Sequence, residues 1–457
     1  MMKAWKKGAG LTYEEVLQWI HSIGRFGIRP GLERMNALME RLGNPHHQFR
    51  CIHIAGTNGK GSTAVFITSV LQSAGYRVGL YTSPYLETFS NRISMDDRDI
   101  PPETLVANVN KVRPLVEEFS RTPGLGPLTQ FEVVTSIAFN YYAGAAPDLV
   151  VIEAGLGGRL DATNIVSPLL TVITNVSRDH VNILGSTLEE VACEKAGVIK
   201  ERVPLFTAAH DPIALRILRE RAAEKKAPLY CVVPAGETSS PDACRGVVEY
   251  GRRQIIPEGQ MFDCHGLKND YREVFIPLRG EYQVENATLA IGVVEYLRDH
   301  GFATDEKAIK AGLKIARWPG RLEVLQEKPR VVIDAAHNTA AVKAMIKAIH
   351  EHFSCRRLIV VVGIMEDKDA REMLSLLMEA ADDIVLTRPA IERAATPQRL
   401  KAIVEDLGVE GVSPLIEPDL NGAIRRVLSL AGPDDMVLVT GSIYTISEAR
   451  ALFIKKN

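Results

Sequence analysis

The chain has 457 residues, 46% apolar and 24% charged, and its 54 Lys and Arg against 56 Asp and Glu leave a formal charge of -2. These values exclude disorder, collagen-like repeats and a disulfide mini-scaffold, and they remove the electrostatic reason to expect nucleic acid or a membrane surface as partner. At roughly 100–200 residues per domain the length implies two or three domains, with a ligand cleft between them that small anions can enter.

The first residues carry Lys3, Lys6 and Lys7 and then meet Glu14 and Glu15 with no apolar stretch, which is not the pattern of a secretory signal. The longest apolar run, around Leu358–Met365, is far short of a membrane span. Cys51, Cys193, Cys231, Cys244, Cys264 and Cys355 form no C-x-x-C pair, so reduced structural thiols in a soluble cytoplasmic protein are expected.

In chain order, FRCIHIAG, RVGLYTSP, DLVVIEAG, LLTVITNV and VPLFTAAH read as buried parallel strands ending in Gly, Ser, Asn or His. Helix-period stretches such as STAVFITSVLQSAG and TLEEVACEKAGVIK separate them, an α/β doubly wound pattern. Thr187, with Glu190 three residues later, is a capping-box signature that puts Glu194 and Lys195 about two turns into a helix. From about 244 to 280 short polar-alternating strands predict a small antiparallel appendage, followed by helices near 283–299 and 305–316. Trp318-Pro319-Gly320 is a turn signal and the expected boundary between residues 1–317 and 318–457. Beyond it RVVIDAAHN, RLIVVVGIM, DDIVLTRPA and DMVLVTGSI predict a second α/β domain, Rossmann-like by default.

The strongest chemical signal is Gly56-Thr57-Asn58-Gly59-Lys60-Gly61-Ser62, between the strand CIHIA and a helix beginning near Ser62. Backbone N–H groups of a glycine-rich turn entering a helix cradle polyphosphate, Lys60 can reach the β and γ oxygens, and the Ser62 hydroxyl can meet Mg²⁺. The match to the standard phosphate-loop pattern is imperfect, since Gly61 separates Lys60 from Ser62 and no glycine stands five positions before Gly59. A ligand-free strand-to-helix turn is the alternative. Glu153 closes the strand DLVVIE beside the glycine run 155–158 and Arg159. A carboxylate at the end of a buried strand is costly unless paired or metal-bound, so Glu153 is a candidate Mg²⁺ ligand or else a capping or salt-bridge residue. Asp179-His180, and Ser83 after RVGLYT, fall on the same sheet edge by the crossover rule, although an Asp-His pair alone is as readily structural. In the second half, Asp334, His337 and Arg321 read singly as turn residues and together as the far side of a site closing across the domain junction.

HIAGTNGKGS, TSPYLETFSNRIS, VIEAGLGGRLDATN, NVSRDHVNILGSTLEEVACEKAGVIK, WPGRLEVL and DAAHN occur in this order from about residue 20 onward. With them the chain resembles folylpolyglutamate synthases and bifunctional dihydrofolate synthase/folylpolyglutamate synthases, members of the ATP-dependent ligases that include the Mur ligases. The resemblance implies a P-loop-type doubly wound, mostly parallel sheet in the N-terminal domain and a Rossmann-like C-terminal α/β domain. It implies that ATP phosphorylates the carboxylate of a (tetrahydro)folate, and also of dihydropteroate, to an acyl phosphate that the amine of L-glutamate attacks, releasing ADP and phosphate. By motif position Thr57, Asn58, Gly59, Lys60, Gly61 and Ser62 would hold the phosphates, and Ser62, Ser83, Glu153 and His180 two Mg²⁺ ions. Lys60, Glu153, His180 and Lys195 would be the catalytic set. Lys195 matches a lysine that relatives can carry as a carbamate; the alternative is a helix-surface partner for an acid or phosphate. Asn286, Arg321, Asp334 and His337 would contact ATP from the far side of the cleft, with Ala335 in place of a common Gly. Arg29, Pro30 and Gly31 resemble a pteroate/folate loop or simply open a helix, Phe131 belongs to a T-x-F-E element that also reads as a helix start, and Arg159 completes the expected acceptor pocket. Small-molecule substrates and a monomer are the expected partners and state.

Two other readings stay open. A Mur-type peptide ligase would carry a sizeable substrate domain before the phosphate loop, whereas 51 residues precede Ile52. A regulatory NTPase would have no use for a second domain bearing Arg321 and His337.

Overall fold

The computed structural model describes residues 11–24, 27, 29–122, 126–236, 244–408 and 414–454. Its first sheet contains β1 (Cys51–Ala55), β2 (Val78–Tyr81), β3 (Ile93–Met95), β4 (Arg98–Asp99), β5 (Leu149–Glu153), β6 (Leu170–Ile173), β7 (Leu205–Thr207), β8 (Leu229–Pro234), β9 (Gly246–Ile256), β10 (Gly259–His265) and β11 (Asp270–Ile276). The spatial order is β11-β10-β9-β8-β7-β6-β1-β5-β2-β3-β4. From β2 through β5, β1, β6, β7 and β8 to β9 the pairing is parallel, and both ends of the sheet turn antiparallel.

The central strands are buried along their whole length because helices cover both faces, as parallel strands require. Along β5, Leu149 and Val151 enter one core with the helices Lys60–Ser73 and Glu281–Arg298. Val150 and Ile152 enter the opposite core with Tyr13–Ile23, Glu33–Arg41, Pro102–Phe119 and Gln130–Ala145. The stretch expected as a small antiparallel appendage forms β9, β10 and β11, antiparallel to one another, and it extends this sheet because β9 adds in parallel to β8.

The second sheet comprises β12 (Glu323–Glu327), β13 (Arg330–Ile333), β14 (Leu358–Val362), β15 (Asp383–Leu386), β16 (Leu415–Ile416) and β17 (Met436–Thr440), in the order β12-β13-β17-β14-β15-β16. All its pairings are parallel except β12 with β13. Trp318-Pro319-Gly320 leads into β12, with Gly320 at φ 77°. No described helix is long and apolar enough to cross a membrane.

The expectation of six free thiols is corrected. Cys231 on β8 and Cys244 just before β9 form a disulfide with Cα atoms 6.3 Å apart, while Cys51, Cys193, Cys264 and Cys355 are free. The bridge links the entrance of one strand to its parallel neighbour, a spatial relation that sequence spacing does not reveal. Titration of the denatured, unreduced protein with a thiol reagent is expected to count four thiols, rising to six after reduction. Six before reduction would show that the bridge does not form.

Candidate active site

The carboxyl ends of β1, β2, β5 and β6 share one edge because the strands are parallel and in register, with Ile54 beside Glu153 and Ala55 beside Ile173. That edge is where open α/β sheets place ligands. The phosphate loop leaves β1 at Gly56 and enters its helix at Lys60 rather than Ser62, with Gly59 at φ 81° as N-cap. The loop is pinned to the strand beside it: Thr57 N–H and Asn58 N–H donate to the backbone and side-chain oxygens of Asn175, and Thr174 Oγ1 donates to Asn58 O at 2.6 Å. Gly56 is at φ 147°, and a side chain there would collide with Thr174 Oγ1.

Lys60 Nζ folds back on its own loop, donating to Gly56 O and Thr57 O at 3.1 Å each. Lys195 Nζ donates to the same Gly56 O at 2.9 Å. The capping box of Thr187 and Glu190 forms as expected and fixes the helix Leu188–Ala196. Lys195 lies near its end and is only 3% exposed, so the surface-partner alternative falls. Burial, then the charge of Lys60, lowers its pKa to about 7.

Glu153 is buried and makes one hydrogen bond, from Ser83 N–H at 3.2 Å, with no ion pair among the described residues. Burial raises its pKa, opposed by the charges of Lys60 and Arg321 and by the Ser83 N–H. An under-partnered carboxylate beside the half-buried, hydroxyl-bearing Ser83 offers oxygen donors of the kind a hard divalent cation takes. Yet the described residues hold no group of three or more His, Cys, Asp or Glu side chains gathered as a metal site.

Asp179 is where the two sheets meet. It accepts from Lys368 Nζ and from Asn338 Nδ2 at 3.0 Å, and His337 Nε2 lies 3.5 Å away. All three groups follow strands of the second sheet. Burial opposes ionisation of Asp179, but the His337 hydrogen bond and the Lys368, His337 and His180 charges outweigh it and hold the carboxyl well below the usual range. His180, at φ 51°, has Nε2 occupied by Lys368 Nζ at 3.0 Å. Burial lowers its pKa to about 4, and the Lys368 charge adds to this against Asp179, so the ring is neutral near pH 7. Asn58 and Asn338 exchange amide hydrogen bonds of 3.3 and 3.0 Å, tying the phosphate loop to the second domain.

A cavity of about 1260 Å³ opens at this junction. Its wall brings together Arg29, Pro30, Gly31, Gly61, Ser83, Phe131, Glu153, Arg159, His180, Arg321 and His337, whereas Lys60, Lys195, Asn286 and Asp334 are not wall residues. The volume exceeds the 300–1,000 Å³ of an ordinary single-ligand pocket, enough for more than one substrate. Trp318 stands over the loop, so that a side-chain carbon on Gly61 would lie 2.6 Å from its ring. Phe131 packs against Gly155 in the same way, at 2.5 Å. Thr129 and Glu132 form the capping box of the helix that carries Phe131. Arg159 is paired with Glu194 at 2.6 Å.

Residues 54–294 match the Mur ligase middle domain and residues 320–443 the glutamate ligase domain of Mur ligases. Along 96% of this chain and 98% of the relative, the sequence is 40% identical to dihydrofolate synthase/folylpolyglutamate synthase of Bacillus subtilis. The chain belongs to the dihydrofolate synthase/folylpolyglutamate synthase family. It shares the fold of Mycobacterium tuberculosis folylpolyglutamate synthase, solved with ADP and AMPPCP, with a TM-score of 0.86 and 34% identity over 96% of this chain and 98% of that one. It is also similar to Escherichia coli FolC in complex with DHPP and ADP, with a TM-score of 0.83 and 28% identity over 98% and 99%. Like other members of this Mur-type family, the protein is a ligase.

One expected position changes within this family frame. Asn286 does not face the phosphate loop from across the cleft: it sits on the helix Glu281–Arg298 of the first domain, packed against Gly59 and accepting from Thr63 Oγ1 at 3.4 Å. Sequence reasoning also missed Arg34, Asp161, Asn338 and Lys368. Arg34 Nε pairs with buried Glu132 at 3.0 Å while its Nη2 donates to Arg29 O, which ties the 29–31 loop to the Phe131 helix. Asp161 accepts from Leu156 N–H and Thr163 N–H and so shapes the glycine run. The available signals were Asp161 three residues past the last glycine, and the polar run Glu366-Asp367-Lys368-Asp369 shortly after β14.

Proposed function

We propose that the protein adds L-glutamate to the terminal carboxylate of tetrahydrofolate-type acceptors, and to dihydropteroate, with ATP converted to ADP and phosphate. The observation that carries this reading is the single cavity whose wall combines the phosphate-loop edge, the Arg29–Gly31 and Phe131 side, and Arg321 and His337 of the second domain. The acceptor carboxylate attacks the γ-phosphorus and ADP leaves; the glutamate amine then attacks the acyl carbon and phosphate leaves. For such transfers the protein's part is positioning and neutralisation of charge. Lys60 moves from the loop carbonyls to the phosphates, Gly59 to Ser62 supply N–H groups and the Ser62 hydroxyl, Thr57 and Asn58 hold the loop to Asn175, and Arg321, Asp334 and His337 meet the nucleotide from the second domain, with Asn286 shaping the loop behind Gly59.

Glu153, Ser62 and Ser83 suit one Mg²⁺ ion, and His180 a second once Lys368 gives up Nε2. Bound there, Mg²⁺ would neutralise phosphate charge and orient the γ-phosphoryl group. Lys195, with a depressed pKa, has a neutral amine available to take up CO₂ as a carbamate, which would put an anionic oxygen donor beside the loop. The domain boundary falls at residue 318, supported by the change of sheet between the helix Glu306–Ile315 and β12. The protein acts as a cytoplasmic monomer on small molecules alone.

The decisive assay measures ADP release with ATP, L-glutamate, and tetrahydrofolate or dihydropteroate. Release that requires both glutamate and one of these acceptors is expected. ATP turnover indifferent to both would overturn the proposal in favour of a nucleotide switch.

A further inference from the structure

The phosphate loop departs from the standard pattern at Gly61, which stands between Lys60 and Ser62. Gly61 is buried in the first turn of the helix Lys60–Ser73, although no residue other than proline favours a helix less than glycine does. Backbone freedom does not explain it. Gly56 and Gly59 have φ of 147° and 81°, whereas Gly61 is not among the residues of positive φ, so its backbone would suit any side chain. Space explains it. A side-chain carbon on Gly61 would lie 2.6 Å from Cζ2, 2.9 Å from Cε2 and 3.0 Å from Nε1 of Trp318, well inside the separation at which such atoms pack. Glycine is the residue that lets another group approach the backbone this closely.

Trp318 is held in place from both sides. The helix Glu306–Ile315 before it is seated on the phosphate-loop helix at Gly312, where a side-chain carbon would be 2.4 Å from Val70 Cα, and the Ala316 that follows is fully buried. After it, Gly320 O accepts from Ala335 N–H at 3.0 Å and Gly320 N–H donates to Glu323 Oε2 at 2.7 Å, both in the second domain. Between these anchors Pro319 restricts the backbone of Trp318 to extended conformations, and the ring packs, partly buried, against the first-domain core that contains Val65 and Val70. The indole cannot swing off Gly61 without leaving that core or shifting the linker.

Lys60 and Ser62, on either side of Gly61, carry the ammonium and the hydroxyl of the proposed phosphate site. We infer that Trp318 is a positioning residue for that site: the chain joining the two domains lays its ring in the space that Gly61 leaves, and the ring sets where Lys60 and Ser62 stand. The glycine between the lysine and the serine is the seat of the ring. This rests on the nucleotide reading above and goes beyond it, because phosphate affinity becomes a property of the inter-domain linker as well as of the loop.

The test is calorimetric titration of the full chain with a non-hydrolysable ATP analogue in the presence of Mg²⁺, on the two single variants and their combination. Gly61→Ala is expected to weaken binding by about 5- to 150-fold, the range that strain from one forced-in carbon spans. Trp318→Leu should weaken it by about 3- to 10-fold, the scale of leaving one segment to be ordered on binding. The combined variant has no collision, so its affinity should lie within about threefold of that of Trp318→Leu alone. Trp318→Phe keeps a ring on the seat and should recover most of the Trp318→Leu loss. If Gly61→Ala costs the same factor with and without Trp318, the inference is overturned in favour of a glycine kept for the approach of the phosphate itself. Unchanged affinity in Trp318→Leu would overturn it by showing that the ring does not set the loop. Should Gly61→Ala alone fail to fold, the return of fold and binding in the combined variant supports the pairing, and continued failure to fold overturns it. Failure of the wild-type protein to bind the analogue would instead overturn the nucleotide reading on which the inference depends.

Discussion

Replacing Lys195 by Ala is expected to lower kcat by about 10²–10³-fold or more, the scale of removing one preorganised charged group from a transfer site, with ATP affinity changed far less. The side chain sits beneath the phosphate loop, shares the Gly56 carbonyl with Lys60, and is fixed by a capped helix. Its folded pKa of about 7 lies below the ordinary lysine value of 10.5 because burial and the charge of Lys60 penalise the ammonium. Below pH 7 the group is mostly ammonium; above it the free amine predominates, and amine plus CO₂ gives carbamate and a proton. A ¹³C carbamate signal from ¹³CO₂ should therefore grow as pH rises through about 7, vanish in CO₂-free buffer and be missing in Lys195→Ala. The linkage has a definite sign. Between pH 10.5 and 7 the unfolded lysine holds a proton that the folded one has shed, so stability rises with pH across that window and the burial penalty is full below about 7. The Ala variant should lose that slope. Nearly wild-type turnover in Lys195→Ala, with no labelled carbamate at any pH, would sink the assignment.

Asp179→Ala is expected to cost about 3–5 kcal/mol of closed-state stability, because it strands the buried Lys368 ammonium and frees Asn338 and His337. Since these groups belong to the second domain, the loss should fall on the docking of the two domains. Small-angle scattering with nucleotide bound should show a larger radius of gyration than for the wild type, and kcat/KM should fall by about 10²–10³-fold. Asp179→Asn keeps the shape and an acceptor for Asn338 but drops the charge, so an intermediate effect is expected. An unchanged radius together with unchanged turnover would show that the contact does not hold the domains.

The strands, the phosphate-loop turn and the Thr187 capping box were legible because each is written locally, in a short apolar run, a glycine spacing or a three-residue interval. The order of strands at one sheet edge then followed from the handedness of parallel crossovers, which is why Ser83, Glu153 and His180 could be placed on one wall before any coordinates. Asp179 was visible only as a neighbour of His180, since its partners lie 159 and 189 residues away at Asn338 and Lys368 and meet it only through domain docking. A separation of 98 residues hid the Arg34–Glu132 pair, and the Cys231–Cys244 bridge, only 13 residues apart, depends on β9 adding in parallel to β8. Asn286 was set across the cleft by motif resemblance alone, which does not show that its helix Glu281–Arg298 packs against the phosphate-loop turn and helix of the same domain.

Lys60, bound to the carbonyls of Gly56 and Thr57, would give the proposed nucleotide site an internal placeholder. Under the proposed function, entry of a phosphate would be an exchange reaction in which the ammonium trades two loop carbonyls for anionic oxygens. Part of the ordering cost of binding is met during folding, so changes in loop rigidity should register as changes in nucleotide affinity even where no atom that touches the nucleotide has been altered.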